Sequence, residues 1–94
     1  MTEDLPSTPL HGQKILATAG TAEPIVGVST PSKAIVITAL EANSGYIYVG
    51  GSTVTSSNGY ILPSGGSIGE IISDLQYMYI VSEKDGDGVC YLGS

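Results

Sequence analysis

Residues 33–50 read Lys33-Ala34-Ile35-Val36-Ile37-Thr38-Ala39-Leu40, Glu41-Ala42-Asn43-Ser44-Gly45, Tyr46-Ile47-Tyr48-Val49-Gly50, and this stretch decides the fold. Ile35 to Thr38 are all β-branched, stiff at χ1 and suited to a pleated surface. The run at 33–40 is apolar almost throughout and too short for an ordinary helix, so it predicts a central strand buried on both faces. Asn43-Ser44-Gly45 supplies turn chemistry. In 46–49 the side chains alternate: Tyr46 and Tyr48 share one face, Ile47 and Val49 the other. Strand, turn and strand therefore follow within eighteen residues.

The same rhythm continues in both directions. Toward the C-terminus, 51–59 is a polar loop or a hairpin, with Asn58-Gly59 favouring a type I′ turn. Strands are predicted at 60–62, 67–72, 76–82 and 89–92, separated by Pro63-Ser64-Gly65-Gly66, Ser73-Asp74-Leu75 and the tight connection 83–88. In 77–81, Tyr77, Tyr79 and Val81 oppose Met78 and Ile80. Toward the N-terminus, strands are predicted at 14–19 and 25–29, the second weakened by Gly27 and broken by Thr30-Pro31-Ser32. About eight short strands with turn signals every 8–12 residues predict an all-β fold, a small β-sandwich of jelly-roll-like or immunoglobulin-like type. The nearest helical candidate, 68–78, contains Gly69 and two tyrosines. Pro6 and Pro9 disfavour helix, so 1–12 is expected to be an extended arm and 13–94 the folded domain.

A domain of about 80 residues is close to the size at which one core barely suffices, and self-association is a natural remedy. The chain has no Trp or Phe, so Ile, Val and Leu must supply the core. It carries nine Asp or Glu, three lysines (Lys14, Lys33, Lys84) and no arginine, for a net charge of −6. Phosphate backbones are bound by Lys and Arg with counterion release. This charge set argues against nucleic acid and anionic membranes as partners. The opening residues Met1-Thr2-Glu3-Asp4 lack the apolar core of a signal peptide, and no apolar run reaches the ~18–20 residues of a membrane span.

The residues for catalysis are scarce. His11 is the only histidine and Cys90 the only cysteine. Pairing them would require the arm to fold back on the last strand, and Cys90, in Val89-Cys90-Tyr91-Leu92, reads as a small buried hydrophobe. His/Cys metal clusters are excluded by count. Asp85-Gly86-Asp87-Gly88 invites a calcium reading but lacks the further ligands and closing Glu of a calcium loop, so it reads as a turn. Glu41, Glu70, Asp74 and Glu83 read as solvated charges. No catalytic residue, cofactor or metal is expected. The positive candidates are tyrosines. Tyr46 and Tyr48, with Tyr77 and Tyr79, are candidate protein-interface residues, with sugar stacking and plain strand tyrosines as alternatives. Leu5, Pro6, Pro9 and Leu10 are the candidates in the arm.

Residues 46–68 carry a family resemblance. Tyr48-Val49-Gly50-Gly51-Ser52, Val54-Thr55, Gly59-Tyr60-Ile61-Leu62 and the turn Pro63-Ser64-Gly65-Gly66 resemble small virion proteins of tailed bacteriophages. The likeness covers roughly 20–94 and leaves out the arm. The turn departs from the pattern's Pro-Gly followed by a polar residue. The resemblance implies a non-enzymatic structural role, as a capsid decoration protein on the head or a part of a tail, collar or fibre. The acidic charge favours the outer capsid surface, away from packaged DNA. The expected partners are the chain itself, as a homo-oligomer (a trimer), and a major capsid or other virion protein. The expected location is the virion, after synthesis in the host cytoplasm. A proline-bearing arm suits extended binding along a neighbour, because proline reduces the ordering cost.

Overall fold

The computed structural model describes residues 9–94 of the chain. Eight strands form: β1 (Leu10–Ile15), β2 (Glu23–Pro24), β3 (Ala34–Ala39), β4 (Ile47–Gly50), β5 (Tyr60–Leu62), β6 (Ser67–Ile71), β7 (Tyr79–Ser82) and β8 (Gly88–Gly93). A 3-10 turn, Leu75–Tyr77, precedes β7. The strands make two four-stranded antiparallel sheets, with orders β1-β8-β3-β6 and β2-β7-β4-β5. The first strand pairs with the eighth, the second with the seventh, the third with the sixth and the fourth with the fifth. One long hairpin, rolled so that successive pairs fall in alternate sheets, produces this order. The expected small β-sandwich is therefore of the jelly-roll kind.

The core lies between the sheets. Ile35, Ile37, Ala39 and Val89 meet Ile47, Val49, Leu62 and Ile80, and Leu16, Ile25, Leu75 and Met78 close its ends. Within each strand these are alternate positions, as a one-faced strand requires. The side of the sandwich where β1 lies beside β2 is clamped by a 2.8 Å ion pair between Lys14 and Glu23.

The double burial expected of 33–40 falls to a different strand. β3 is covered on one face only: Ile35, Ile37 and Ala39 are buried, whereas Val36 is 48% exposed because no third layer lies outside its sheet. β4 is instead covered on both faces. The 51–59 loop folds over its outer side, and Val54 packs on Tyr48 and Val81 as a second small cluster. Gly59 permits this, because a Cβ there would come within 2.7 Å of Tyr48 Cβ and of Val54 Cγ2. Positive φ occurs only at Gly20, Gly65 and Gly86 among the described residues, so Asn58-Gly59 is not a type I′ turn. Asn58 Oδ1 instead accepts the Thr55 N–H at 2.7 Å.

Several boundaries also move. β1 begins at Leu10, three residues inside the expected arm, because Leu10 pairs with Gly93 and packs against the core. The folded domain therefore starts at or before Leu10 rather than at residue 13. The strand expected over 14–19 ends at Ile15, where Leu16 turns into the core. The strand expected over 25–29 does not form: β2 lies just before it, at Glu23–Pro24, and Ser29 and Thr30 are tied to Asp74 instead. Asp74 also caps the 3-10 turn, which takes Tyr77 out of the alternation expected for 76–82.

Candidate functional site

Sheet edges expose unpaired backbone groups, and the four edges here are unequal. In the second sheet, β2 has two residues, one of them Pro24, and β5 has three and runs into Pro63. Both are too short or too proline-blocked to template another strand. In the first sheet, β1 and β6 are longer, with six and five residues.

The hydrogen-bond phase of β6 follows from its ends. Ile72 N–H donates to the Lys33 carbonyl and Ala39 N–H to the Gly66 carbonyl. Inward bonding alternates along an antiparallel strand, so Ile68 and Glu70 face β3, and the backbone groups of Ser67, Gly69 and Ile71 point away from the sheet. The Ile71 N–H is covered by Glu70 Oε1 at 3.1 Å. By the same reasoning, Leu16 N–H to the Asp87 carbonyl turns the backbone of His11, Gln13 and Ile15 outward on β1.

The β6 edge has an apolar setting. Ile71 is 83% exposed. Beneath the edge, between β6 and the β4–β5 side of the other sheet, lies a groove of about 370 Å³ lined by Tyr60, Ile68, Ile71, Ile72, Tyr77 and Met78, with Glu70 its sole charge. Tyr60 and Tyr77 are 58% and 61% exposed. On the outer face, Val36, Leu92 and Ile71 continue the same apolar surface around the strand. Gly69 leaves open space at its centre, since a Cβ there would meet nothing within 4 Å.

The sequence candidates are scattered. Leu5 and Pro6 lie outside the described residues. Pro9 is exposed, and Leu10 is half-buried in β1. Tyr46 is 47% exposed just before β4, whereas Tyr48 is buried at 6%. The Tyr48 hydroxyl donates to Glu83 Oε2 at 3.0 Å. Burial and that carboxylate push the phenol up from its ordinary range. Tyr79 packs half-buried against the Tyr48 cluster, and Tyr77 projects into the groove. No single patch unites the four. Tyr60, Ile68, Ile71 and Ile72 are groove residues that sequence reasoning missed. The adjacent Ile71-Ile72 pair was a usable signal, because alternation cannot bury both.

β1 does fold back on the last strand, contrary to expectation. His11 lies opposite Leu92 and Gln13 opposite Cys90, so His11 and Cys90 are diagonal neighbours on the outer face, with Cα atoms roughly 7–8 Å apart. Cys90 is half-buried there rather than in the core. His11 stands exposed on an open sheet face, without the enclosing pocket that a nucleophile–base pair works in.

Four carboxylates, those of Asp74, Glu83, Asp85 and Asp87, brace the fold, so Asp74 and Glu83 are not the simply solvated charges expected. Asp87, 4% exposed, accepts the N–H groups of Ser44 and Gly45, and Asp85 accepts that of Ala19. The Ser29 hydroxyl and the N–H groups of Thr30 and Gln76 hold the Asp74 carboxyl below its usual range. Glu83 is held down by the Tyr46 N–H and the Tyr48 hydroxyl. Among the described residues, no group of three or more His, Cys, Asp or Glu side chains is placed to hold a metal ion. Comparison with protein-family models, curated proteins and solved structures finds no match.

Proposed function

We propose that the protein is a non-enzymatic structural component of a virus particle, a capsid decoration protein on the outer surface of a tailed-phage head. In this reading it self-associates, binds a major capsid protein and is anchored partly by its N-terminal arm. The observation that carries the assembly role is the apolar surface around β6: a strand edge guarded by Glu70 alone and flanked by Ile71, Val36 and Leu92, with Tyr60 and Tyr77 beneath it. Contiguous apolar patches on small proteins mark interaction surfaces. The virion assignment rests on the resemblance at 46–68 and on the acidic, arginine-free composition. The jelly-roll order adds support by analogy alone, since such folds serve both capsids and lectins.

The test is co-sedimentation with expanded heads of the phage that carries the gene, stripped of their own copy of the protein. Saturable binding is expected, weakened by deleting residues 1–8. Deleting 1–12 is the wrong probe, because it also removes Leu10 to Gly12 from β1. Absence of binding would discard the capsid role. Tyr60 and Tyr77 around a carboxylate-bearing groove favour a second reading, a glycan-binding module of a tail or fibre. Glycan-array binding lost in Tyr77→Ala, with no head binding, would select it.

A further inference from the structure

We infer that the β6 edge is a self-pairing site, at which β6 of a second copy adds antiparallel about a two-fold axis through Gly69. This deepens the assembly reading, from which it takes only that the chain self-associates.

The register is self-complementary. The outward-facing residues are Ser67, Gly69 and Ile71, an odd set centred on Gly69. Antiparallel pairing about that centre sets Gly69 against Gly69 of the second copy, and each Ser67 against the other copy's Ile71. All three pairs are then of the hydrogen-bonded kind. Because Gly69 has no side chain and open space around it, the axis is free of a clash, and the exposed Ile71 of each copy lies diagonal to the opposing glycine. Ile68 and Glu70 project toward the inner side of the sandwich. Each Ile68 therefore stands opposite the other copy's Glu70, above the groove that holds Tyr60 and Tyr77. Centred on Ile68 or Glu70, the pairing stays in phase but makes two hydrogen-bonded pairs within the strand instead of three, and sets Ile68 against Ile68 or one Glu70 carboxylate against the other.

The other edges point the same way. Pairing β1 with β6 would be head-to-tail, a contact that continues into open chains unless it happens to close, whereas β6 with β6 closes as a dimer. β6 contains neither Lys nor Pro, the usual edge guards. Its one guard is Glu70, whose carboxylate covers the Ile71 N–H and must swing aside. A stable interface buries roughly 800 Å² per partner. A five-residue strand and its flanking side chains supply less, so the dimer belongs to the weak, concentration-dependent class.

Sedimentation equilibrium on the full chain tests this. The mass should rise from 9.6 kDa toward twice that value as concentration passes through about 1–100 μM. Ile71→Lys and, independently, Gly69→Pro should hold it at the monomer mass without changing the melting temperature, since both alter groups that face away from β3. Ile15→Lys, the matching change on the β1 edge, should leave the dimer intact. Glu70→Gln should tighten it several-fold, by removing the guard and two like charges. A monomer throughout, a trimer, or dimerisation that survives Ile71→Lys or is lost in Ile15→Lys would overturn the inference. Head binding by a strictly monomeric chain would leave the virion reading standing alone. A dimer that binds no heads would do the reverse.

Discussion

The Tyr48 hydroxyl and the Glu83 carboxylate tie the outer face of β4 to the end of β7. Oε2 accepts the phenol at 3.0 Å while Oε1 accepts the Tyr46 N–H at 2.9 Å. Both oxygens are therefore engaged, one by a side chain and one by the backbone. Tyr48→Phe keeps the ring against Val54 and Val81 and loses only the first bond, so a small fall in melting temperature is expected. Tyr48→Ala also empties the second cluster and should cost clearly more. Equal effects in thermal melts would show that the hydroxyl, not the ring, holds the 51–59 loop.

Acid should weaken the fold through Asp74 and Glu83. Both carboxyls are held below their ordinary values of 3.8 and 4.5, so the folded state binds their protons less readily than the unfolded chain. Their stabilisation is complete above those values and is lost as pH falls through the lower, folded ones. Melting temperature should be level near neutrality and decline below about pH 4.5. Asp74→Asn should lower the plateau and flatten the decline. Tyr48, raised above its ordinary value of 10.0, predicts an alkaline loss as pH climbs past 10.0.

Gly93 admits the neighbouring strand. A Cβ there would land on the Ala34 carbonyl oxygen and crowd Ile35. Gly93→Ala should destabilise by about 1–3 kcal/mol or more, as overpacking does. Gly27→Ala, with nothing within 4 Å of the added Cβ, should leave the urea midpoint close to wild type.

Ile37 is fully buried at the centre of the core. Ile37→Ala should cost about 2–5 kcal/mol. Val36→Ala, one residue away and 48% exposed, should cost far less. Similar costs in denaturant titrations would mean that something covers the outer sheet face.

Truncation separates the arm from the fold. Removal of residues 1–8 leaves β1 whole and should not move the melting temperature. Removal of 1–12 takes away the Leu10 and Gly12 pairings with β8, as well as the Leu10 core contact, and should lower it markedly.

Strand positions were legible wherever alternation was clean: Ile47 and Val49 in β4, and Met78 and Ile80 around β7, are core residues as their spacing predicts. Tyr77 was misplaced because Asp74 caps a 3-10 turn, and that capping depends on Ser29 and Thr30, more than forty residues away. Leu10 was assigned to the arm because Pro6 and Pro9 dominate the local pattern, while its partner Gly93 lies at the far end of the chain. The groove was invisible for the same reason, since Tyr60 and Tyr77 belong to different segments and meet only across the open side of the sandwich.

An all-β chain with short strands and an aliphatic core follows from the residues themselves, because χ1 stiffness, turn chemistry and two-residue alternation are local properties. Alternation says which side chains share a face, but not what covers that face. The richest apolar run, at β3, was expected to be doubly buried and is open on one side. β4, which carries Tyr48, is closed on both, its inner face by the core and its outer face by a loop that sequence reading treats only as polar. The jelly-roll order, the closed β1–β2 side and the free β6 edge arise from pairings between distant segments, whose energies depend on the whole assembled sandwich. The opportunity for assembly at Gly69 and Ile71 is of that second kind.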